Sequence, residues 1–169
     1  MGAIITAIIG WRNLKQSQRS TETTLANTRE VEEERAQNDA LQKYLEQMGQ
    51  LLTKEGLRRS KDPSDDVRIL ARSQTLTVLA GLGPGRKRIL LRFLFESHLI
   101  DRNNAFVILD GADLRGADLS GAVLVEAALR AADLTNADLT SAFGVDSSLL
   151  ERQARSLEGA TMPDGSKHA

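Results

Sequence analysis

Residues 111–140 read GADLRGADLSGAVLVEAALRAADLTNADLT, in which a small residue, a gap and a leucine return every five residues. A period of five suits neither regular element. Five residues of α-helix advance about 500°, so successive leucines would step around the axis and form no stripe. On a flat strand an odd step throws every second leucine onto the opposite face. Leu109, Leu114, Leu119, Leu124, Leu129, Leu134 and Leu139 can share one interior only if the chain bends at each pentad. Four bends per circuit give a square coil of about 20 residues, stacked on the next as in other solenoids. Two positions before each leucine is an even step, so Ala112, Ala117, Ala122, Ala127, Ala132 and Ala137 also point inward, small because the space beside a corner is narrow. The same geometry stacks Leu114 under Leu134 and Leu119 under Leu139.

Composition removes most chemistry. The 169 residues contain no cysteine, which excludes disulfides, thiol catalysis and thiolate metal sites. The two histidines, His98 and His168, are far apart, and neither has a second ligand at helical spacing. Aromatic residues make up 4% of the chain, too few for base-stacking platforms. With 22 basic and 23 acidic side chains, no global attraction to nucleic acid or anionic lipid is indicated.

Six uninterrupted A-x-L pentads, four of them ADL, resemble the pentapeptide-repeat family. The resemblance implies a right-handed, four-sided β-helix over residues 105–144 and a non-catalytic role. SSLLERQARSLEGATMPDGSKH resembles the ends of many bacterial members: a short helix with a capping box at Ser148 and Glu151, then a return to the coil at Ala160 and Met162. LQKYLEQMGQLL and the helical pair after it resemble the region that joins membrane helices to the repeats in membrane-anchored members. Two coils alone would leave both ends of the stack open, an apolar surface with an unpaired backbone edge. Phe106, Val107 and Ile108 fit an end covered by helices, and Phe143 with the helix from Ser147 is placed to cover the other. Gly144 stands where the next leucine would fall.

Upstream, MGAIITAIIGW is apolar and followed by Arg12, Lys15 and Arg19. It supplies about half of the ~20 apolar residues of a membrane span. An interfacial Trp11 followed by a basic flank nonetheless matches the end of such a span, so Ile4, Ile5, Ile8, Ile9 and Trp11 are read as a short or truncated anchor. A signal peptide fits poorly, because the charge follows the apolar run. MGAIIT also matches an acylation pattern at Gly2, a match short enough to arise by chance. From Ser20 to Leu57 the chain is polar and helix-forming. Leu41, Leu45, Met48 and Leu52 have the spacing of a coiled-coil seam that fades upstream, and helix docking on the rest of the fold explains it as well. SKDPSDD starts a new helix with Ser64 as its N-cap, and Pro84 opens a further one running to about Ile100. GLGPGRKR fails as a phosphate loop, since position 86 is arginine where the loop needs glycine. Arg86, Lys87 and Arg88 are read as a solvated face.

Asp113, Asp118, Asp133 and Asp138 precede buried leucines and point outward, one coil apart in pairs. They can serve the amides of tight turns, or hold a cation or act as an acid–base pair. The repeats carry Asp110, Asp113, Asp118, Glu126, Asp133 and Asp138 against Arg115 and Arg130, a net of −4.

These readings place the chain in the α+β class: N-terminal helices, a stalk plus a helical hairpin, then a short right-handed quadrilateral β-helix with a C-terminal capping helix. The expected divisions are a partial membrane anchor with its basic flank at 1–19, the helical region at 20–104, the repeats at 105–144 and the cap and tail at 145–169. The expected role is binding or scaffolding without catalytic residue, metal or cofactor. The repeats would face the cytoplasm from the membrane and meet a protein partner, with a homo-oligomer through the stalk open. Two alternatives stand beside it: a soluble, cytoplasmic DNA mimic that inhibits a nucleic-acid enzyme such as a topoisomerase, as some longer family members do, and a hydrolase using the aspartate ladder.

Overall fold

The computed structural model describes residues 2–100, 106–125 and 127–169, with the side chains of 2–14 and 17 excepted. Among the described residues four α-helices form: α1 (Gly2–Thr53), α2 (Asp66–Gly81), α3 (Pro84–Glu96) and α4 (Ser147–Gln153). The chain divides into two compact units, Met1–Ala36 and Gln37–Ala169.

The first unit is the N-terminal part of α1. Its described side chains are all exposed, including Leu25 and Val31. A helix polar on every side gains nothing from packing, and the Thr23, Thr24 and Thr28 hydroxyls donate back to carbonyls four residues earlier. The side chains read as an anchor, Ile4, Ile5, Ile8, Ile9 and Trp11, lie outside the described residues. Among the described residues no helix is long and apolar enough to cross a membrane. The apolar run is too short, as its length already implied.

In the second unit the C-terminal third of α1, residues 37–53, packs with α2 and α3. The buried stripe is Leu41, Tyr44, Met48 and Leu51, whereas Leu45 and Leu52 are half-buried, so the seam is rotated from the one expected. Tyr44 lies in the middle of this stripe. Its ring meets Phe93 edge-on at 6.5 Å and its hydroxyl lies 2.9 Å from the Thr75 hydroxyl. Burial pushes the phenol pKa up to about 12. The seam is therefore filled from within the unit, and the coiled-coil reading has no support here. Gln37 Oε1 accepts from the Gly83 amide at 2.8 Å, just before Pro84 opens α3. The N-cap of α2 is Asp65 rather than Ser64, and α3 ends at Glu96 rather than near Ile100.

The expected quadrilateral β-helix, and with it the α+β class, is corrected. Among the described residues no β-strand forms, and the repeats are a coil of turns joined by isolated parallel bridges. These link Asp113 to Asp133, Asp118 to Asp138 and Val123 to Phe143. The pentad itself is the reason. In each one the leucine carbonyl accepts from the amide three residues on, as in Ala112 N to Leu109 O and Ala117 N to Leu114 O, both 3.0 Å. The turn uses up most of the five residues and leaves one per side to pair, too few for a continuous ladder. The register between coils is 20 residues. A third, partial layer follows at Ser156 and Thr161, shifted because α4 is inserted between the layers. Phe143 does not cover the end of the stack: it is 67% exposed. Residues 153–163 lie over the second coil instead, donated to by Ala131, Leu134, Asn136, Leu139 and Ser141 amides.

The turns also show a left-handed position that the repeat pattern conceals. Gly111, Gly116 and Gly121 hold φ of 77°, 59° and 62° in the first coil, but Ala131, Asn136 and Ser141 hold 54°, 57° and 57° in the second. A side chain there is strained by about 1–2 kcal/mol, partly offset by the greater freedom glycine has in the unfolded chain. Ala131→Gly is therefore expected to raise the unfolding free energy by about 0.5–1 kcal/mol, read as a higher urea midpoint. A lower midpoint would show that the turn at Ala131 carries no strain.

Candidate functional site

The coil's interior is aliphatic. Leu109, Leu114, Leu119, Leu124, Leu129, Leu134 and Leu139 are all buried, as are Ala112, Ala117, Ala132 and Ala137, while Ala122 and Ala127 are partly buried. Whatever the coil presents, it presents on its outward positions. On the first side these are Asp113 and Asp133, and on the second Asp118 and Asp138, continued in the third layer by Ser156 and Thr161. On the third side they are Val123 and Phe143.

Each aspartate closes a small ring with the residue two places on. Asp133 Oδ1 accepts from the Thr135 amide at 3.1 Å and hydroxyl at 2.7 Å. Asp138 does the same with Thr140, and Asp118 with Ser120. Asp113 accepts from the Arg115 amide and forms a two-point pair with its guanidinium, Nε at 3.0 Å and Nη2 at 2.7 Å. The pattern of Asp followed two residues later by Ser, Thr or Arg was present in the sequence and marks these turns. Hydrogen bonds from those side chains hold all four carboxyls below the ordinary range, Asp113 down to about 2 through Arg115. A general acid needs the opposite shift, toward neutrality. The carboxylates are therefore fixed anions occupied by local donors. Among the described residues no group of three or more His, Asp or Glu is placed to hold a metal ion.

Because each folded-state carboxyl titrates below its unfolded value, its stabilising contribution is complete above about pH 4. It is lost as pH falls through the folded value, last of all for Asp113. Chemical-denaturation midpoints are expected to stay level from pH 7 to 5 and to fall steadily below about pH 4. A midpoint unchanged down to pH 2.5 would remove the turn aspartates from the stability of the coil.

The basic triplet after α2, read as a solvated face, does something different. Lys87 is 3% exposed, and its Nζ donates to Asp113 Oδ1 at 3.5 Å and to the Arg115 carbonyl at 3.1 Å. Arg88 pairs with Asp118 at 2.9 Å, and Arg86 donates to Asn38 and Gln37 on α1. From α2, Arg72 donates to the Asp110 carbonyl at 2.9 Å. Arg72, Lys87 and Arg88 thus meet carbonyls and carboxylates of the first coil, whereas Arg86 meets α1. Pairing of this kind joins residues 26 or more apart, and no local pattern announces it.

Near the C-terminus, α4 is capped by Asp146, whose Oδ1 accepts from the Leu149 amide at 2.7 Å, and not by a box at Ser148 and Glu151. Leu157, Ala160 and Met162 are buried in the layer that follows.

No curated protein and no solved structure matches the chain. The family model for pentapeptide repeats matches residues 108–143, in eight copies. Five-residue spacing, a leucine-filled coil and this match coincide, and residues 108–143 form a segment of pentapeptide repeats.

Proposed function

We propose that the protein is a non-catalytic binding or scaffolding module whose repeat coil meets a protein partner through its third side. The observation that carries this reading is Phe143, an aromatic ring 67% exposed on an outward position beside Val123. An exposed aromatic on a coil pinned by backbone hydrogen bonds is a low-entropy anchor for a partner. The aspartate sides support the same reading from the other direction. Their carboxylates are held ionised by local donors, which leaves no acid–base pair for a hydrolase. A DNA mimic is less well supported, because Lys87, Arg88 and Arg115 neutralise Asp113 and Asp118.

Attachment to a membrane through residues 1–19, with the repeats toward the cytoplasm, belongs to the same proposal and rests on the apolar run and its basic flank. Two experiments separate the parts. A photo-crosslinking amino acid at position 143 in the living cell is expected to give a discrete protein adduct that the same group at position 138 does not. Equal adducts at both positions would discard the third side as the docking face. Fractionation with an alkaline wash is expected to keep the full chain with the membrane and release a chain lacking residues 1–10. Release of both would discard the attachment.

A further inference from the structure

On two sides of the coil a third layer lies over the second, bridging Asp133 to Ser156 and Asp138 to Thr161. On the third side the ladder stops at Phe143, because the chain turns back on itself. Met162 N donates to Ser166 O at 2.8 Å, and Thr161 pairs antiparallel with Lys167. The third layer therefore lacks its third side. The two peptide units around Phe143 show what that leaves. Phe143 N donates down to Ala122 O at 2.9 Å, and Phe143 O accepts from Leu124 N, also below, at 2.8 Å. A trans peptide points its N–H and its C=O in opposite directions, and among the described residues no peptide is cis. The Ala142 carbonyl and the Gly144 amide must both point up. Among the described residues neither has a hydrogen-bond partner. The equivalent groups on the other two sides are all paired with the third layer. Ala132 O accepts from Arg155 N and Leu134 N donates to Ser156 O; Ala137 O and Leu139 N both pair with Thr161. Phe143 and Gly144 are exposed, so this edge is open to solvent.

An acceptor and a donor directed the same way from the two ends of one residue are the complement of one residue of extended polypeptide. The outward ladder sets the side chain of that residue. Over the aspartates the third layer carries hydroxyls, and the Ser156 hydroxyl lies 2.8 Å from that of Thr135. Over Val123 and Phe143 the fitting neighbour is apolar. We infer that an extended segment of a partner polypeptide completes the third layer at this edge. One apolar residue of it donates its N–H to the Ala142 carbonyl, accepts from the Gly144 amide and lies on the Phe143 ring. The inference rests on the third side as the docking face and supplies the backbone contact by which the partner holds it. A second copy of the chain does not fit. On the neighbouring sides the third layer rises about 5 Å above this edge, so two copies meeting at this end keep their third sides apart.

The probe is acetyl-SGAVLVEA-amide, the sequence of residues 120–127 as a free peptide, titrated into the isotopically labelled full chain and followed by NMR. On binding, the Gly144 amide proton is expected to move downfield and its exchange with water to slow about tenfold or more. Methylating the peptide nitrogen of the valine that corresponds to Val123 removes the donor to Ala142, and is expected to weaken binding about tenfold. The same methyl group on the valine that corresponds to Val125 is the control and is expected to leave binding unchanged. Phe143→Ser in the full chain, at an exposed position where folding is not at stake, is expected to weaken binding about tenfold as well. Undiminished binding of the first methylated peptide, with binding still lost in Phe143→Ser, would overturn the inference and leave the third side as a face read through side chains alone. Binding indifferent to both changes would discard the face too. A Gly144 amide already slow to exchange without peptide would also overturn the inference, since the edge would then be closed. So would a dimer in sedimentation velocity that the peptide disperses, because the edge would then belong to a second copy.

Discussion

Leu134→Ala is expected to lower the unfolding free energy of the protein by about 3–5 kcal/mol, measured by urea denaturation of the full chain. Leu134 has no exposed surface. It sits in the middle layer, where its amide donates to the Ser156 carbonyl above and its own carbonyl accepts from Ala137. The neighbouring Asp133 amide donates down to the Ala112 carbonyl at 3.0 Å. The backbone on both sides of the lost side chain is therefore pinned from above and below. A helix can slide or tilt to fill a cavity, but a layer held by its own hydrogen bonds cannot follow the missing methyl groups. The cost of Leu→Ala depends on how far the site can collapse, and that reasoning puts Leu134 toward the upper end. Leu25→Ala, on the exposed part of α1, is the control and is expected to change stability by less than about 0.5 kcal/mol. A cost below about 1.5 kcal/mol at Leu134 would mean that the coil is loosely packed or that its layers separate easily.

The same pinning explains what was readable from residue order and what was not. A period of five can be read by counting, because one interaction, burial of a leucine, repeats at every turn. Its geometry excludes helix and strand alike, and the family match falls on the same residues, 108–143. Whether each side would reach the length of a strand depended on how many residues the corners consume. The leucine-to-alanine turn bond, repeated at Leu109, Leu114 and Leu119, settles that in favour of single bridges. Tyr44 carries no signal in the sequence, because a tyrosine in a polar helix has no periodic partner until Thr75 and Phe93 are brought to it. Lys87 is hidden for a related reason. Three consecutive basic residues are usually solvated, and only the fold places Asp113 and the Arg115 carbonyl within reach of the middle one. Once there, the lysine's desolvation is offset by two acceptors. In the candidate site the aspartates were visible as outward-facing residues, and their turn-closing partners stood two places away. Phe143 was assigned to cover the stack because large apolar residues at the ends of solenoids usually do. The third layer, from residues beyond α4, took that place and left the ring in solvent.

Gly144→Ala is the second large effect, expected to cost about 2–5 kcal/mol. Two separate strains meet at this position. Gly144 holds φ of 86°, in the left-handed region that side chains rarely adopt. A Cβ added there would also lie 2.5 Å from the Val125 amide nitrogen and Cα, inside the contact distance of any real methyl group. Val125 is backbone of the first coil, one layer below, so relief requires the layers to part where the chain leaves the repeats for α4. Gly116→Ala isolates the first strain from the second. Gly116 holds φ of 59°, but a Cβ there meets nothing within 4 Å, and the change is expected to cost only about 1 kcal/mol. The difference between the two variants measures how tightly the second coil is seated on the first at its exit. A large difference, with the α4 cap at Asp146 intact, places the close approach of Gly144 to Val125 among the contacts that fix the third side and hold Phe143 in its outward position. Equal costs would mean that the layers yield at this corner, and a docking face built on Phe143 would then have to be ordered by its partner.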